Sequence, residues 1–88
     1  MDVATSTAAE RIARVLAAQA ISANAEGFEE RASLEVDGSW KDHLPAAVAV
    51  LKTLREPSRA MAEVGDVAVW ERMVLTAIEE AHPAGQVM

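Results

Sequence analysis

Three stretches of the chain place apolar residues at the three- and four-residue spacing of an amphipathic α-helix. They predict helices over about residues 8–23, 45–56 and 67–81. The apolar stripes are Ile12, Val15, Leu16 and Ala20 in the first helix, Leu44, Val48, Leu51 and Leu54 in the second, and Trp70, Met73, Val74, Ala77, Ile78 and Ala81 in the third. Three such helices with short connections predict an all-α fold, a small bundle that forms one domain over residues 1–88.

Polar residues predict where the first and third helices begin. Thr7, with Glu10 three residues later, has the pattern of a capping box, in which a side-chain oxygen accepts from a free N–H of the first turn. Asp66 is placed to cap the third helix in the same way. Beyond the helices, residues 1–6 and 83–88 are expected to be frayed tails.

The start of the second helix allows two interpretations. Ser39 is the predicted cap, with Asp42 at the third helical position. Pro45 would then lie inside the helix, where proline removes a hydrogen bond and clashes with the preceding turn. We therefore expect a short turn at 40–43 followed by a helix whose first residue is Pro45. A longer, kinked helix is the alternative.

The stretch LREPSRAM, Leu54–Met61, predicts a sharp corner. Pro57 forces the residue before it out of the helical region and suits the first position of a new helix, so a short helix is expected over about 57–64. Leu54 and Met61 would face the core from the two sides of this corner. A second short helix is expected at about 29–36, although part of it could be a short extended segment.

The composition predicts a thin core. The chain has 88 residues, and much of its 51% hydrophobic content is alanine, which favours helices but adds little core volume. A small domain with few bulky core residues gains stability by associating with a partner. Ile21 and Leu75 lie off the predicted stripes, and we expect them at an interface, either in a homodimer or with another protein.

The net charge of −6 argues against nucleic acid and against anionic membranes as partners, since both attract basic surfaces. The chain has no cysteine, and its first residues, MDVATSTAAER, do not have the pattern of a signal peptide. No apolar run approaches the roughly 20 residues that a transmembrane helix needs. We therefore expect a cytoplasmic protein.

A basic cluster surrounds the predicted corner. Lys52, Arg55 and Arg59 could form an anion site at a helix junction. Cations near the end of a helix also complement its dipole, which is the simpler explanation. Together with Arg72, the same residues could serve a nucleic-acid-associated regulator, although the third helix also carries several acidic residues that phosphate would repel.

Two pairs of residues have spacings that occur in enzymes. Ser39 and His43 are four residues apart, and Glu79 and His82 have the Glu-x-x-His spacing of di-iron proteins. A capping serine and a frayed helix end are the simpler interpretations, because no further ligand or orienting group is evident. We assign no catalytic, cofactor-binding or metal-ligating residue and expect a non-enzymatic protein.

The stretch VDGSW is similar to the start of the second helix in acyl carrier proteins, acidic helical chains that carry a modified serine there. That resemblance would imply a carrier role for Ser39. The chain departs from the family pattern, however, because it has Asp-Gly-Ser-Trp where those proteins have Asp-Ser-Leu.

Three segments together resemble a group of small, uncharacterised helical proteins that bacterial genomes and prophages encode. They are ERIARVL (Glu10–Leu16), WKDHLPAAVAVLKTLREPSRAM (Trp40–Met61) and WERMVLTAIEEA (Trp70–Ala81), and they cover about half of the chain. The middle segment is the most specific. The resemblance implies a helical domain, and it implies no activity and no site residues.

Overall fold

The computed structural model describes residues 3–24 and 35–81, and this part of the chain is helical and contains no strand. Its elements are α1 (Ala8–Asn24), a 3₁₀ helix (Trp40–His43), α2 (Leu44–Thr53), α3 (Arg59–Val64) and α4 (Val67–Glu80). Residues 35–39 are also helical and lead directly into the 3₁₀ helix. The predicted all-α fold with three main helices is confirmed, and α1 and α4 lie within one residue of their predicted bounds.

Side-chain caps begin three of the helices. The backbone N–H of Glu10 donates to Oγ1 of Thr7 over 3.1 Å, as the capping-box pattern predicts. The carboxylate of Asp66 accepts from the N–H of Val69 over 3.1 Å at the start of α4. A third cap, Ser58, precedes α3. Each cap satisfies an N–H that has no partner within its helix, which is why these helices begin where they do.

The start of α2 follows the first of the two sequence interpretations. The 3₁₀ helix occupies residues 40–43, and Pro45 lies in the first turn of α2, where its missing N–H costs nothing. The prediction that Ser39 caps this helix is wrong, because the Ser39 hydroxyl donates to the carbonyl of Glu35 over 2.7 Å. Residues 35–39 are themselves helical, and a serine inside a helix bonds back to the preceding turn.

The end of α2 and the start of α3 differ from the prediction. The second helix ends at Thr53 and not near residue 56, and Pro57 is not the first residue of α3. The N–H of Leu54 donates to two carbonyls of the last turn of α2, at 3.1 and 3.0 Å. This bonding tightens the last turn, and the helix ends before it reaches the proline. Ser58, in an extended conformation, then caps α3.

Alanines are the most completely buried residues in the part of the chain that the structure describes. Ala9, Ala13 and Ala17 follow one another at four-residue spacing along α1, and all have 0% exposure, as does Ala47 on α2. α1 packs mainly on α2 and on the 3₁₀ helix. We call these four residues the alanine seam. Small side chains at a helix contact leave room for close packing, so burial is complete where the side chains are smallest.

The predicted stripe on α1 is therefore partly wrong. Ile12 and Leu16 are partly buried, but Ala20 is exposed and Val15 is 59% exposed. The predicted stripe followed the largest apolar residues of α1, whereas the residues that are fully buried are the alanines beside them. Val15 and Ala13 are two positions apart and therefore lie on nearly opposite sides of the helix.

The larger core residues come from α2 and α4. Val48, Leu51 and Val74 are buried, and Leu51 and Val74 lie in one cluster with Ala9. Partly buried side chains pack around this cluster, namely Ala8, Ile12, Leu44, Trp70, Ala77, Ile78 and Ala81. The prediction that Leu54, Met61 and Met73 face the core is wrong, since each is at least 39% exposed.

Several predictions fall outside the described residues. The short helix expected at about 29–36 is described only at its last two positions, and both are helical. His82 and the tail at 83–88 also lie outside the described ranges.

Candidate interaction surface

A groove opens between α1, α2 and α4. Its volume is about 650 Å³, and we call it the large groove. Its walls are Ala8, Arg11, Ile12, Val15 and Leu16 from α1, Val50, Leu51 and Leu54 from the α2 end, and Trp70, Met73, Val74 and Ala77 from α4. Among these described residues, Arg11 is the only charged one. Because Leu51 and Val74 belong to the core, the groove reaches the core from the surface.

A second groove lies between α3 and α4. Its volume is about 320 Å³, and we call it the small groove. It is lined by Pro57, Met61, Ala62, Val64, Gly65, Asp66, Val67, Val69, Trp70 and Met73. Asp66, which caps α4, is the only charged residue among these lining positions. Every residue of α3 is exposed, so this short helix presents its apolar side chains without burying them.

The two grooves form one surface. Trp70 and Met73 line both of them, and Met73 is 63% exposed on the ridge between them. We call the two grooves and this ridge the apolar face. Val64, at the α3 end of this face, is 88% exposed. Isolated exposed apolar residues are ordinary, but a continuous apolar surface with recesses is typical of a binding site.

Two contacts from α4 hold the corner that follows α2. The indole N–H of Trp70 donates to the carbonyl of Leu54 over 2.7 Å. The guanidinium of Arg55 contacts the carboxylate of Glu71 at 3.1 Å. These contacts fix the corner against α4, and they orient Trp70 so that its ring reaches both grooves.

The basic cluster of the sequence lies at this corner. Arg55 is paired with Glu71, whereas Lys52 and Arg59 are exposed. A paired guanidinium has less positive charge to offer an anion than an isolated one. The anion site and the nucleic-acid role, which would also use the exposed Arg72, remain predictions.

A polar cluster centred on Arg14 is formed by residues that line neither groove. Arg14 contacts Glu10 at 2.9 Å and Asp37 at 2.7 Å, and its guanidinium lies 5.3 Å from the ring centroid of Trp40. Lys41 lies 5.8 Å from the same ring. The cluster thus connects α1 with the helical segment around Asp37 and with the 3₁₀ helix.

The pKa of Arg14 is raised above its ordinary value, first by its hydrogen bond to Asp37 and then by that to Glu10. A raised pKa in the folded chain stabilises the fold at every pH below the ordinary value, and the effect is lost only as the pH rises through it. Arg14 therefore stays charged across the whole biological pH range.

Of the two residue pairs with enzyme-like spacing, Ser39 and His43 are not joined by a hydrogen bond, and Glu79 and His82 lie only partly within the described residues. The Ser39 hydroxyl donates to Glu35 and not to His43, and His43 is the residue that precedes α2. Glu79 is exposed on α4, and its predicted partner lies outside the described residues. Within residues 3–24 and 35–81, no three His, Cys, Asp or Glu side chains lie close enough together to hold a metal ion.

The predicted interface residues occupy positions away from the apolar face. Ile21 and Leu75 are both partly buried, and neither lines a groove. As interface residues they remain predictions. Several residues of the apolar face, among them Val15, Leu54 and Met73, were assigned to the core from their spacing. The sequence did contain one indication of this surface. The three stripes hold more large apolar residues than short helices packed through alanines can bury.

The chain matches no protein-family model, no curated protein and no solved structure. None of the described helices has the length and apolar character needed to cross a membrane. A function for the chain is therefore argued from its own geometry.

Proposed function

We propose that this chain is a non-enzymatic docking domain that acts by protein–protein contact through its apolar face. The observation that carries the proposal is the continuity of two apolar grooves that share the partly buried Trp70 and the exposed Met73. Apolar surface that a partner covers contributes roughly 25 cal/mol per Å² to binding, and grooves next to a ridge offer a partner shape as well as area.

The setting we propose is the cytoplasm of a bacterium, in a small helical protein of the kind that prophages and bacterial genomes encode. The absence of cysteine and the resemblance of the LREPSRAM region support this setting. The net charge of −6 supports a protein partner over nucleic acid, because phosphate repels an acidic surface.

Site-specific photo-cross-linking tests the proposal. A photoreactive amino acid is placed at Met73 in one variant and at Arg72 in a matched control, and each is expressed in the native host. Both residues are exposed neighbours on α4, but only Met73 lines the grooves. The proposal expects a defined protein adduct from position 73 and little from position 72. Equal yields at the two positions, or no adduct at 73, would contradict it.

A further inference from the structure

We infer that the large groove receives a short amphipathic helix of the partner, and that this helix carries an acidic residue against Arg11. The inference rests on the proposed docking function and deepens it by stating the chemistry of the partner. It is carried by the extent of the groove, by the hydrogen-bonding groups of its walls, and by the one charged side chain among its described lining residues.

The walls of the large groove follow two helices over similar lengths. On α1 they run from Ala8 to Leu16, and on α4 from Trp70 to Ala77, with lining residues at three- and four-residue spacing on both helices. At 1.5 Å per residue, each wall extends over roughly 10–12 Å, which is about two helical turns. Two turns of a partner helix match this length, with apolar anchors at the same spacing.

The walls offer an occupant few hydrogen bonds. Apart from Arg11 and Trp70, the lining residues are alanine, valine, isoleucine, leucine and methionine. The indole N–H is already used, because it donates to the carbonyl of Leu54. An extended peptide would leave backbone N–H and C=O groups without partners on the side that faces these walls. A helix bonds these groups internally, so the walls favour a helix.

Arg11 determines the charge that this helix carries beside its apolar anchors. The guanidinium has no ion pair with a carboxylate of the described residues, whereas those of Arg14 and Arg55 are paired. A helix in the groove removes water from beside Arg11, and a desolvated charge without a partner is costly. A Glu or Asp on the partner helix offsets this cost with a charge-assisted hydrogen bond.

Selection from a displayed peptide library tests the inference on the purified full chain. The peptides are helices of about 12 residues that keep leucine at i, i+3, i+4 and i+7 and are randomised elsewhere. They are selected in parallel on the wild-type chain, on Arg11→Glu and on Arg72→Glu. Arg72 is the matched control, since it is an exposed arginine on α4 that lines neither groove. Circular dichroism checks that both variants keep the helical fold.

The wild-type chain should enrich Glu or Asp at one position beside the leucines. Its net charge of −6 favours basic peptides in general, so a local preference for an acid points to Arg11. Arg11→Glu should enrich Lys or Arg at that position, whereas Arg72→Glu, which changes the net charge equally, should keep the acid.

Fluorescence anisotropy of one selected peptide measures the size of the effect. Replacing its enriched acid by lysine should raise the Kd about fivefold on the wild-type chain and lower it on Arg11→Glu. A proline at the centre of the peptide should abolish binding, because it breaks the helix.

Four outcomes would overturn the inference. One is that no selected peptide binds the wild-type chain with a Kd below roughly 100 μM. Another is an acidic preference that Arg11→Glu leaves unchanged or that Arg72→Glu removes equally. A third is a peptide that binds equally well with the central proline. The last is a Met73 adduct that joins two copies of this chain, in which case the docking function stands and a separate helical partner is excluded. Failure of the docking function itself would appear as the absence of any adduct at position 73.

Discussion

The two sides of this small bundle bury their apolar residues to very different extents. On one side, α1 packs on α2 and the 3₁₀ helix, the alanines of the seam are fully buried, and the Arg14 cluster joins α1 to Asp37 and to the 3₁₀ helix. On the other side, valine, leucine and methionine side chains line open grooves. In the described residues, the alanines of the seam are fully buried, whereas several large apolar residues, among them Val15, Leu54 and Met73, stay exposed.

The difference has a physical origin in the size of the chain. Short helices can approach closely along only one side each, and the alanines occupy that side of α1. Larger side chains beside the seam cannot enter the contact, so they project at its open edge. A small domain is marginally stable in any case, and a second chain over the open edge would complete the core from outside.

The largest expected effect comes from removing a side chain of the buried cluster. Leu51→Ala should lower the free energy of unfolding by about 3 kcal/mol, because it leaves a cavity beside Val74 that the small core cannot fill. Urea denaturation at a fixed protein concentration measures it. Val50→Ala is the control, since Val50 is 39% exposed and should lose about 1 kcal/mol or less. Equal losses would mean that Leu51 is packed no more closely than Val50.

Enlarging the alanine seam should have the next largest effect. Ala47→Leu should cost about 2 kcal/mol, because Ala47 is fully buried and the added atoms would have to displace its neighbours. Its neighbour Ala46 is exposed on the same helix, so Ala46→Leu should change stability by less than about 0.5 kcal/mol. Thermal unfolding of both variants checks the difference. If Ala47→Leu is as stable as the control, the seam is not closely packed.

Breaking the contact between α4 and the corner should have a smaller effect. Trp70→Phe keeps an aromatic ring at the joint of the two grooves but removes the N–H that donates to Leu54. We expect a loss of about 1 kcal/mol, which is typical of one hydrogen bond. Limited proteolysis of the corner should also become faster. An unchanged cleavage rate at residues 54–58 would show that the indole does not hold the corner.

A substitution at Arg14 tests whether the contacts of the Arg14 cluster depend on the geometry of the guanidinium or only on its positive charge. Arg14→Lys keeps the positive charge but cannot serve two carboxylates and an aromatic face in the same way. We expect a measurable fall in Tm, smaller than that of either core substitution. Arg72→Lys is the control, because Arg72 is exposed on α4. Equal Tm values for the two variants would mean that the cluster adds nothing specific.

The smallest effect on folding should come from the ridge of the open side. Met73→Gln should change the free energy of unfolding by less than about 0.5 kcal/mol, measured where the chain is monomeric, because Met73 is 63% exposed. The same substitution should weaken association about tenfold or more, since it places an amide at the centre of the proposed contact. A large loss of monomer stability would instead assign Met73 to the core.

The candidate surface could be predicted only in part. The sequence indicated that a chain poor in bulky core residues has reason to associate, but it pointed to Ile21 and Leu75, which do not line the grooves. The grooves were missed because Val15, Leu54 and Met73 have the spacing of core residues. Spacing along one helix reports which side chains share a face, and it does not report whether another helix covers that face.

Local chemistry in the sequence was sufficient to predict where the helices lie and where most of them begin. Thr7 and Asp66 cap their helices, and Pro45 lies in the first turn of α2, because each acts on backbone groups within a few residues of itself. The choice of which face each helix buries was made only when the helices packed together. That choice favoured alanine over valine on α1, because the distance between two helix backbones, and not the hydrophobicity of one helix, decides which side chains fit between them.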